Sequence, residues 1–96
     1  MKIAIASLDK DINSEVSPQA GRAPYYLIFD NGELIESWKN VFAVGGGGVG
    51  SAVAKIMVDK NVEKVISGKF GEKMKTALTE KGVSFEEKKG IIKDII

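Results

Sequence analysis

The run of glycines at the centre of the chain, Gly45–Gly48 followed by Gly50, divides the sequence into two halves with different patterns. The half before it alternates as strands do and carries an Asn-Gly turn pair, whereas the half after it begins with apolar residues at helical spacing. These residues are Val49, Ala52, Val53, Ile56 and Met57, and they predict a helix over about residues 49–60. Any fold of this chain must therefore start a helix directly from a glycine loop.

A glycine loop that opens a helix is typical of an anion site, because the first N–H groups of the helix have no partner within it and the positive end of the helix dipole lies behind them. The spacing Gly45-x-Gly47-x-x-Gly50 also fits the dinucleotide fingerprint, but the next strand ends at Ser67-Gly68 without the acidic residue that binds ribose. The lysine of a phosphate loop is absent after Gly50 as well. A general anion site is therefore favoured over a nucleotide site, with a flexible hinge or lid as the structural alternative.

The amino-acid composition excludes several classes of protein function. Fourteen basic and thirteen acidic side chains give a net charge of +1, which is far from the concentrated basic face that nucleic-acid binding requires. The chain contains no cysteine and no histidine, which excludes disulfides, thiolate chemistry and the commonest ligands of iron–sulfur clusters and zinc. With 96 residues and no apolar run approaching the ~20 of a membrane span, we expect one cytoplasmic domain over residues 1–96.

Hydrophobic periodicity predicts five strands and two helices. The strands are expected at about residues 2–8, 25–29, 33–39, 62–67 and 83–86, and the second helix is expected around the apolar stripe from Phe70 to Leu78. Asn31-Gly32 is the pair that a type I′ turn requires, so the second and third strands should form a hairpin. In the third strand, Leu34 and Trp38 are expected to share one face with Glu36, a mixed pattern that suits a sheet edge.

The element order β-β-β-α-β-α-β predicts an α/β fold. Three antiparallel strands that lead into a right-handed crossover give a five-stranded mixed sheet in the order 3-2-1-4-5, with strand 2 antiparallel and helices packed on the sheet. The loops that leave strands one, three and four, at residues 9–24, 41–48 and 67–70, then open at one edge of the sheet. Binding crevices of open α/β sheets form at such an edge.

The polar and glycine residues of these loops form the candidate ligand site. It comprises Ser17, Gln19, Gly21, Arg22, Gly45, Gly46, Gly47, Gly48 and Ser67. Arg22 is the only arginine of the chain, and a guanidinium presents a flat set of donors to an oxyanion. An ion pair that anchors the long loop to Glu15 is the alternative role for Arg22.

Two further segments admit other functions. Asp9 follows the first strand, where a metal-dependent nuclease could carry an acidic ligand, with Asp11 or Glu15 as a second carboxylate; solvated loop charges are the alternative. Residues 90–96 carry four isoleucines, which we expect either to cover an open part of the core or to form a surface for self-association.

Four segments together carry a resemblance to a known family. They are Met1–Ala6, the motif Val16-Ser17-Pro18-Gln19-Ala20-Gly21-Arg22-Ala23-Pro24-Tyr25, the glycine run before a helix, and Val65-Ile66-Ser67-Gly68. Across nearly the whole chain the sequence resembles the dinitrogenase iron–molybdenum cofactor biosynthesis family, which includes the carrier protein NifX and the C-terminal domain of NifB. This resemblance implies a ribonuclease H-like fold and a role in binding or carrying iron–sulfur or iron–molybdenum cofactor precursors.

The family commonly has a histidine and an aromatic residue where this chain has Gln19 and Ala20. An amide is a poor iron ligand, which argues against direct metal coordination and leaves an anion held by Arg22 and glycine N–H groups. The resemblance thus implies a small non-enzymatic carrier for an anionic metallocluster precursor or a related small anion. Cofactor-assembly proteins are the implied partners, without nucleic acid or membrane, and the chain is expected to be a monomer or a weak homodimer. A metal-dependent nuclease-like or phosphoryl-transfer enzyme, or a protein-interaction module that has lost cluster binding, are the alternatives.

Overall fold

A computed structural model describes residues 1–44 and 48–96. Three strands come first, β1 (Lys2–Ser7), β2 (Tyr25–Asp30) and β3 (Glu33–Lys39). They are followed by α1 (Val49–Asp59), β4 (Lys64–Ser67), α2 (Glu72–Glu80), β5 (Ser84–Glu87) and a short 3-10 helix (Ile92–Asp94). All of the expected strands and both helices are present, with ends that differ from the expectation by one or two residues.

The five strands form one mixed sheet in the order β3-β2-β1-β4-β5. β2 pairs antiparallel with both β1 and β3, whereas β4 pairs parallel with β1 and β5. The predicted α/β class and strand order are therefore confirmed. Because only β2 runs against the others, the carboxyl ends of β1, β3, β4 and β5 lie at one edge of the sheet.

A β-bulge in β3 changes which of its residues share a face. Ile28 pairs with Glu36, but the next residue, Phe29, pairs with Leu34, so β3 carries one inserted residue. Since adjacent residues of a strand point to opposite faces, Leu34 lies on the face opposite to Glu36 and Trp38. The expectation that Leu34 shares a face with Trp38 is wrong, because strict alternation cannot anticipate an inserted residue.

The two helices cover one face of the sheet and bury the larger part of the core. The small side chains of Ala4 and Ala6 on β1 let the helices pack closely against the sheet, and both are fully buried. The main side chains of this cluster are Tyr26, Ile28, Val53, Met57, Val65, Phe70, Met74 and Leu78.

The other face of the sheet is covered by the long loop and the C-terminal segment. Ile92 is fully buried there, in a cluster that also contains Ile5, Leu27, Phe29 and Ile66. The segment is fixed to the loop by backbone hydrogen bonds, from Val16 N–H to the Gly90 oxygen (2.9 Å) and from Ile92 N–H to the Ser14 oxygen (3.0 Å). The expectation that the isoleucines cover an open part of the core is thus confirmed for Ile92.

Candidate functional site

Two loops at the carboxyl edge of the sheet are joined by hydrogen bonds into one wall. The Gly68 N–H donates to the Ser17 oxygen (2.9 Å), and the Ala20 N–H donates to the Lys69 oxygen (3.0 Å). The Ser67 hydroxyl adds a bond to the Ser17 oxygen (3.2 Å). These bonds fix the loop that follows β4 against the loop that precedes β2.

Gly68 permits this close approach. A Cβ atom at this position would lie 2.8 Å from Pro18 Cα and 3.0 Å from the Ser17 oxygen, both of them backbone atoms that cannot turn away. Any larger residue would therefore push the two loops apart.

Three serines shape the ends of these loops. The hydroxyl oxygens of Ser7 and Ser17 each accept the backbone N–H two residues further on, the pattern of a serine turn, and the Ser67 hydroxyl lies within hydrogen-bond distance of the Ser17 and Lys69 oxygens. Ser17 is 2% exposed and Ser67 is fully buried. Both hydroxyl groups thus form hydrogen bonds with backbone groups of the loops, and neither residue lines the cavity described next.

A cavity of about 600 Å³ lies beside this wall. Three segments line it: residues 19–22 of the long loop, residues 48–50 at the start of α1, and residues 69–74 around the start of α2. Its size falls within the range of roughly 300–1,000 Å³ that is typical of small-molecule and cofactor sites. The cavity occupies the sheet edge at which the sequence predicts a crevice.

The N-termini of both helices open on this cavity. The N-cap residues are Gly48 for α1 and Gly71 for α2, and neither helix is capped by a side-chain hydrogen bond. The helices can approach at this end because Gly50 has no side chain: a Cβ there would lie 2.9 Å from Met74 Cβ. Two helix dipoles therefore direct their positive ends at one volume.

The charged side chains add to this positive potential. Arg22, Lys69 and Lys73 line the cavity together with a single carboxylate, that of Glu72. The Glu72 carboxylate lies 3.5 Å from the ammonium of Lys75 and is therefore partly neutralised. Arg22 donates from Nη1 to the Ala43 oxygen (3.4 Å), which joins the long loop to the segment after β3. This lining favours a negatively charged ligand.

The structure brings together part of the site that the sequence predicts. Gln19, Gly21, Arg22 and Gly48 line the cavity, whereas Ser17 and Ser67 lie behind its wall. Gly45, Gly46 and Gly47 lie outside the described residues. The role of all these residues in ligand binding stays a prediction.

The segment after β4 contributes residues to the cavity that the sequence did not indicate. Lys69, Lys73 and Met74 line the cavity, whereas the predicted site includes only Ser67 from this region. The available signal was the spacing of the two lysines, four positions apart on either side of Gly71 at the start of a helix. That signal gains its meaning only when α2 is known to begin beside α1.

Two aspartates of the long loop accept hydrogen bonds from nearby backbone N–H groups. Oδ1 of Asp9 accepts the Lys10 N–H (2.8 Å), and Oδ1 of Asp11 accepts the Asn13 N–H (2.9 Å). Within residues 1–44 and 48–96, no group of three or more acidic side chains is arranged to hold a metal ion. No group of this size therefore supports the nuclease-like alternative in the described part of the chain.

Tyr26 anchors the cavity wall to the core. Its side chain is fully buried, and its hydroxyl donates to the backbone oxygen of Ala20, a residue that lines the cavity. Burial raises the pKa of the Tyr26 hydroxyl far above its usual value of about 10, because the phenolate would lose its hydration.

Replacing Tyr26 by phenylalanine is expected to lower the free energy of unfolding by about 1–3 kcal/mol at neutral pH, because the buried Ala20 oxygen loses its donor. Above pH ~10 the tyrosine ionises in the unfolded chain but not in the folded one, so wild-type stability falls by up to about 1.4 kcal/mol per pH unit from this group. The advantage of wild type over Tyr26→Phe should therefore shrink between pH 9 and 11, as measured by urea unfolding. A difference that stays constant over this range would contradict the assignment.

The five strands form one mixed sheet with the helices on one face, and a cavity lined by cationic side chains lies at the strand ends. These features define a small α/β protein with a cationic cavity at the sheet edge. The chain belongs to the dinitrogenase iron-molybdenum cofactor family, whose model matches residues 1–96. The predicted family is thereby confirmed. No curated protein sequence matches the chain.

Three solved structures are similar to this chain. A candidate NifB protein from Thermotoga is 31% identical, with a TM-score of 0.80 over 97% of this chain and 81% of that protein. Two further proteins share the fold. PH0822 is 22% identical, with a TM-score of 0.84 over 99% of this chain and 86% of that protein. The apo form of the orange protein from Desulfovibrio gigas is 21% identical, with a TM-score of 0.87 over 95% of this chain and 78% of that protein. In the described part of the chain, no helix is both long and apolar enough to cross a membrane.

Proposed function

We propose that this protein is a non-enzymatic carrier that holds an anionic iron–sulfur or iron–molybdenum cofactor precursor, or a related small anion, in the cavity between α1 and α2. Membership of the dinitrogenase iron-molybdenum cofactor family supports this class of cargo. The cargo would be a complete anion that enters and leaves the cavity as a unit.

One observation carries the proposal: the N-termini of two helices, both begun by a glycine and both without a side-chain cap, open on the same cavity. Uncapped helix N-termini offer backbone N–H donors and a positive dipole, which together favour an anion. Arg22, Lys69 and Lys73 supply the charge that a multiply negative ligand requires.

The same lining defines how the cargo would be held. The chain has neither cysteine nor histidine, and Gln19 supplies an amide where the family commonly has a histidine. Hydrogen bonds and charge would therefore bind the outer atoms of the cargo, while the cargo keeps its own ligands on its metal ions. Such binding is reversible, which suits a carrier.

The cavity suits binding better than turnover. Its one carboxylate, Glu72, is 90% exposed and lies beside Lys75, so it is poorly placed to act as a buried general base. The charges of the cavity thus point to retention of an anion.

The decisive test is Gly71→Asp. The backbone of Gly71 (φ −71°, ψ 155°) suits an N-cap aspartate, and a Cβ there would meet no atom within 4 Å. The variant should be more stable by a few tenths to about 1 kcal/mol, because the carboxylate caps α2. It should also bind molybdate or an anaerobic cluster precursor at least about tenfold more weakly, because a negative charge now occupies the site.

Gly71→Asn is the matched control, since it supplies the same cap without the charge. It should lie between wild type and Gly71→Asp in anion affinity, as measured by equilibrium dialysis under aerobic and anaerobic conditions. Equal affinities in wild type, Gly71→Asp and Arg22→Ala, or no binding of either probe to wild type, would reject the proposal.

A further inference from the structure

A second groove of about 350 Å³ adjoins the cavity at the same edge of the sheet. Pro18 lines the groove, the next residue, Gln19, lines the cavity, and Lys69 lines both. The groove is thus separated from the cavity only by the loop wall that Gly68 and Ser67 hold in place.

The lining of this groove combines apolar surface with unneutralised positive charge. Leu8 is 47% exposed, and Pro18 beside Lys69 is exposed as well. Lys69 and Lys89 are exposed, and within the described part of the chain neither ammonium group has an ion pair or a hydrogen bond. The carboxylate of Glu15 is the acidic group that lines the groove.

We propose that this groove docks an acidic segment of an acceptor protein. The carboxylates of the segment pair with Lys69 and Lys89, and an apolar side chain packs on Leu8 and Pro18. Glu15 repels further negative charge, so the segment must mix acidic and apolar residues. Charge complementarity selects this partner over nucleic acid, because two lysines beside apolar surface in a chain of net charge +1 do not form a continuous basic track.

The position of Lys69 couples docking to the cavity. A carboxylate bound in the groove and an anion bound in the cavity draw on the same ammonium group, so each weakens the binding of the other. Docking of an acceptor therefore favours release of the cargo. This coupling rests on the proposed function, whereas the docking surface itself does not.

The test uses the full chain and a capped synthetic peptide of alternating glutamate and leucine, with a glutamine–leucine peptide as the neutral control. Lys89→Gln should weaken binding of the acidic peptide about two- to fivefold and leave molybdate affinity unchanged. Lys69→Gln should weaken binding of the acidic peptide to a similar extent. It should also abolish the effect of molybdate on the affinity for this peptide. Lys81→Gln, an exposed lysine at the far end of α2, is the matched control and should bind the peptide as wild type does.

The outcomes separate the two proposals. Equal binding of the acidic and neutral peptides, an unchanged affinity of Lys89→Gln, or tighter binding of a short oligonucleotide than of the peptide would each overturn the docking surface. Peptide affinity that does not change when molybdate is bound would overturn the coupling. A failure of both molybdate and the cluster precursor to bind wild type overturns the proposed function, while peptide binding that still requires Lys89 upholds the docking surface.

Discussion

Replacing Ile92 by alanine is expected to lower the free energy of unfolding by about 2–5 kcal/mol, a large fraction of the stability of a domain of this size. Ile92 is fully buried against Ile5, Leu27, Phe29 and Ile66, on the sheet face opposite to α1 and α2. Truncation removes apolar contacts and leaves a cavity that the short C-terminal segment cannot close. Urea unfolding monitored by circular dichroism measures the loss.

Ile96→Ala is the matched control within the same segment. Ile96 is 50% exposed, so this change should alter stability by no more than about 0.5 kcal/mol. Sedimentation of both variants and of wild type shows whether the C-terminal segment covers the core or mediates self-association. If Ile92→Ala were as stable as Ile96→Ala, or if truncation changed the oligomeric state without affecting stability, the segment would not act as a cover.

Replacing Gly68 by alanine is expected to destabilise the protein by about 1–3 kcal/mol and to weaken anion binding at the same time. The added Cβ would lie 2.8 Å from Pro18 Cα, so the two loops must separate. Separation stretches the bonds from Gly68 N–H and Ser67 Oγ to the Ser17 oxygen, which hold the cavity wall. The same steric cause thus acts on stability and on the site.

Gly71→Ser serves as the matched control for the effect of Gly68→Ala on stability. It adds a side chain three residues further along the chain, at an N-cap position where a Cβ meets no atom within 4 Å. We expect its stability to equal or slightly exceed that of wild type, because serine is a good N-cap residue. If Gly68→Ala were as stable as wild type, the two loops could separate without a loss of free energy of unfolding. The cavity wall would then not be rigid.

Local pattern predicted the secondary structure of this chain almost completely. Strand periodicity, the Asn31-Gly32 turn and the helical stripe that starts at Val49 are set by covalent geometry within a few residues, and all three reappear in the structure. The sheet order followed from the sequence of elements and from the right-handedness of crossovers. The bulge in β3 was not predicted, since an inserted residue leaves no mark on the alternation of a partly exposed edge strand.

The candidate site was predicted less completely than the fold. The glycines and Arg22 were accessible to sequence reasoning because their chemistry is unusual in this chain. Lys69 and Lys73 were not, because thirteen lysines are indistinguishable until their positions in space are known. Ser17 and Ser67 were selected for their hydroxyl groups, which the fold uses to hold the backbone of the loops.

The sequence by itself determined the α/β class, the strand order, the family and the start of α1 at a glycine loop, because each depends on patterns carried by neighbouring residues. The tertiary structure alone decided that α2 begins beside α1, that Ser67 reaches across 50 positions to the Ser17 oxygen, and that Lys69 lines both cavity and groove. These relations depend on the close packing of distant segments, at Gly50 and Gly68 above all, where the absence of a side chain lets two backbones meet.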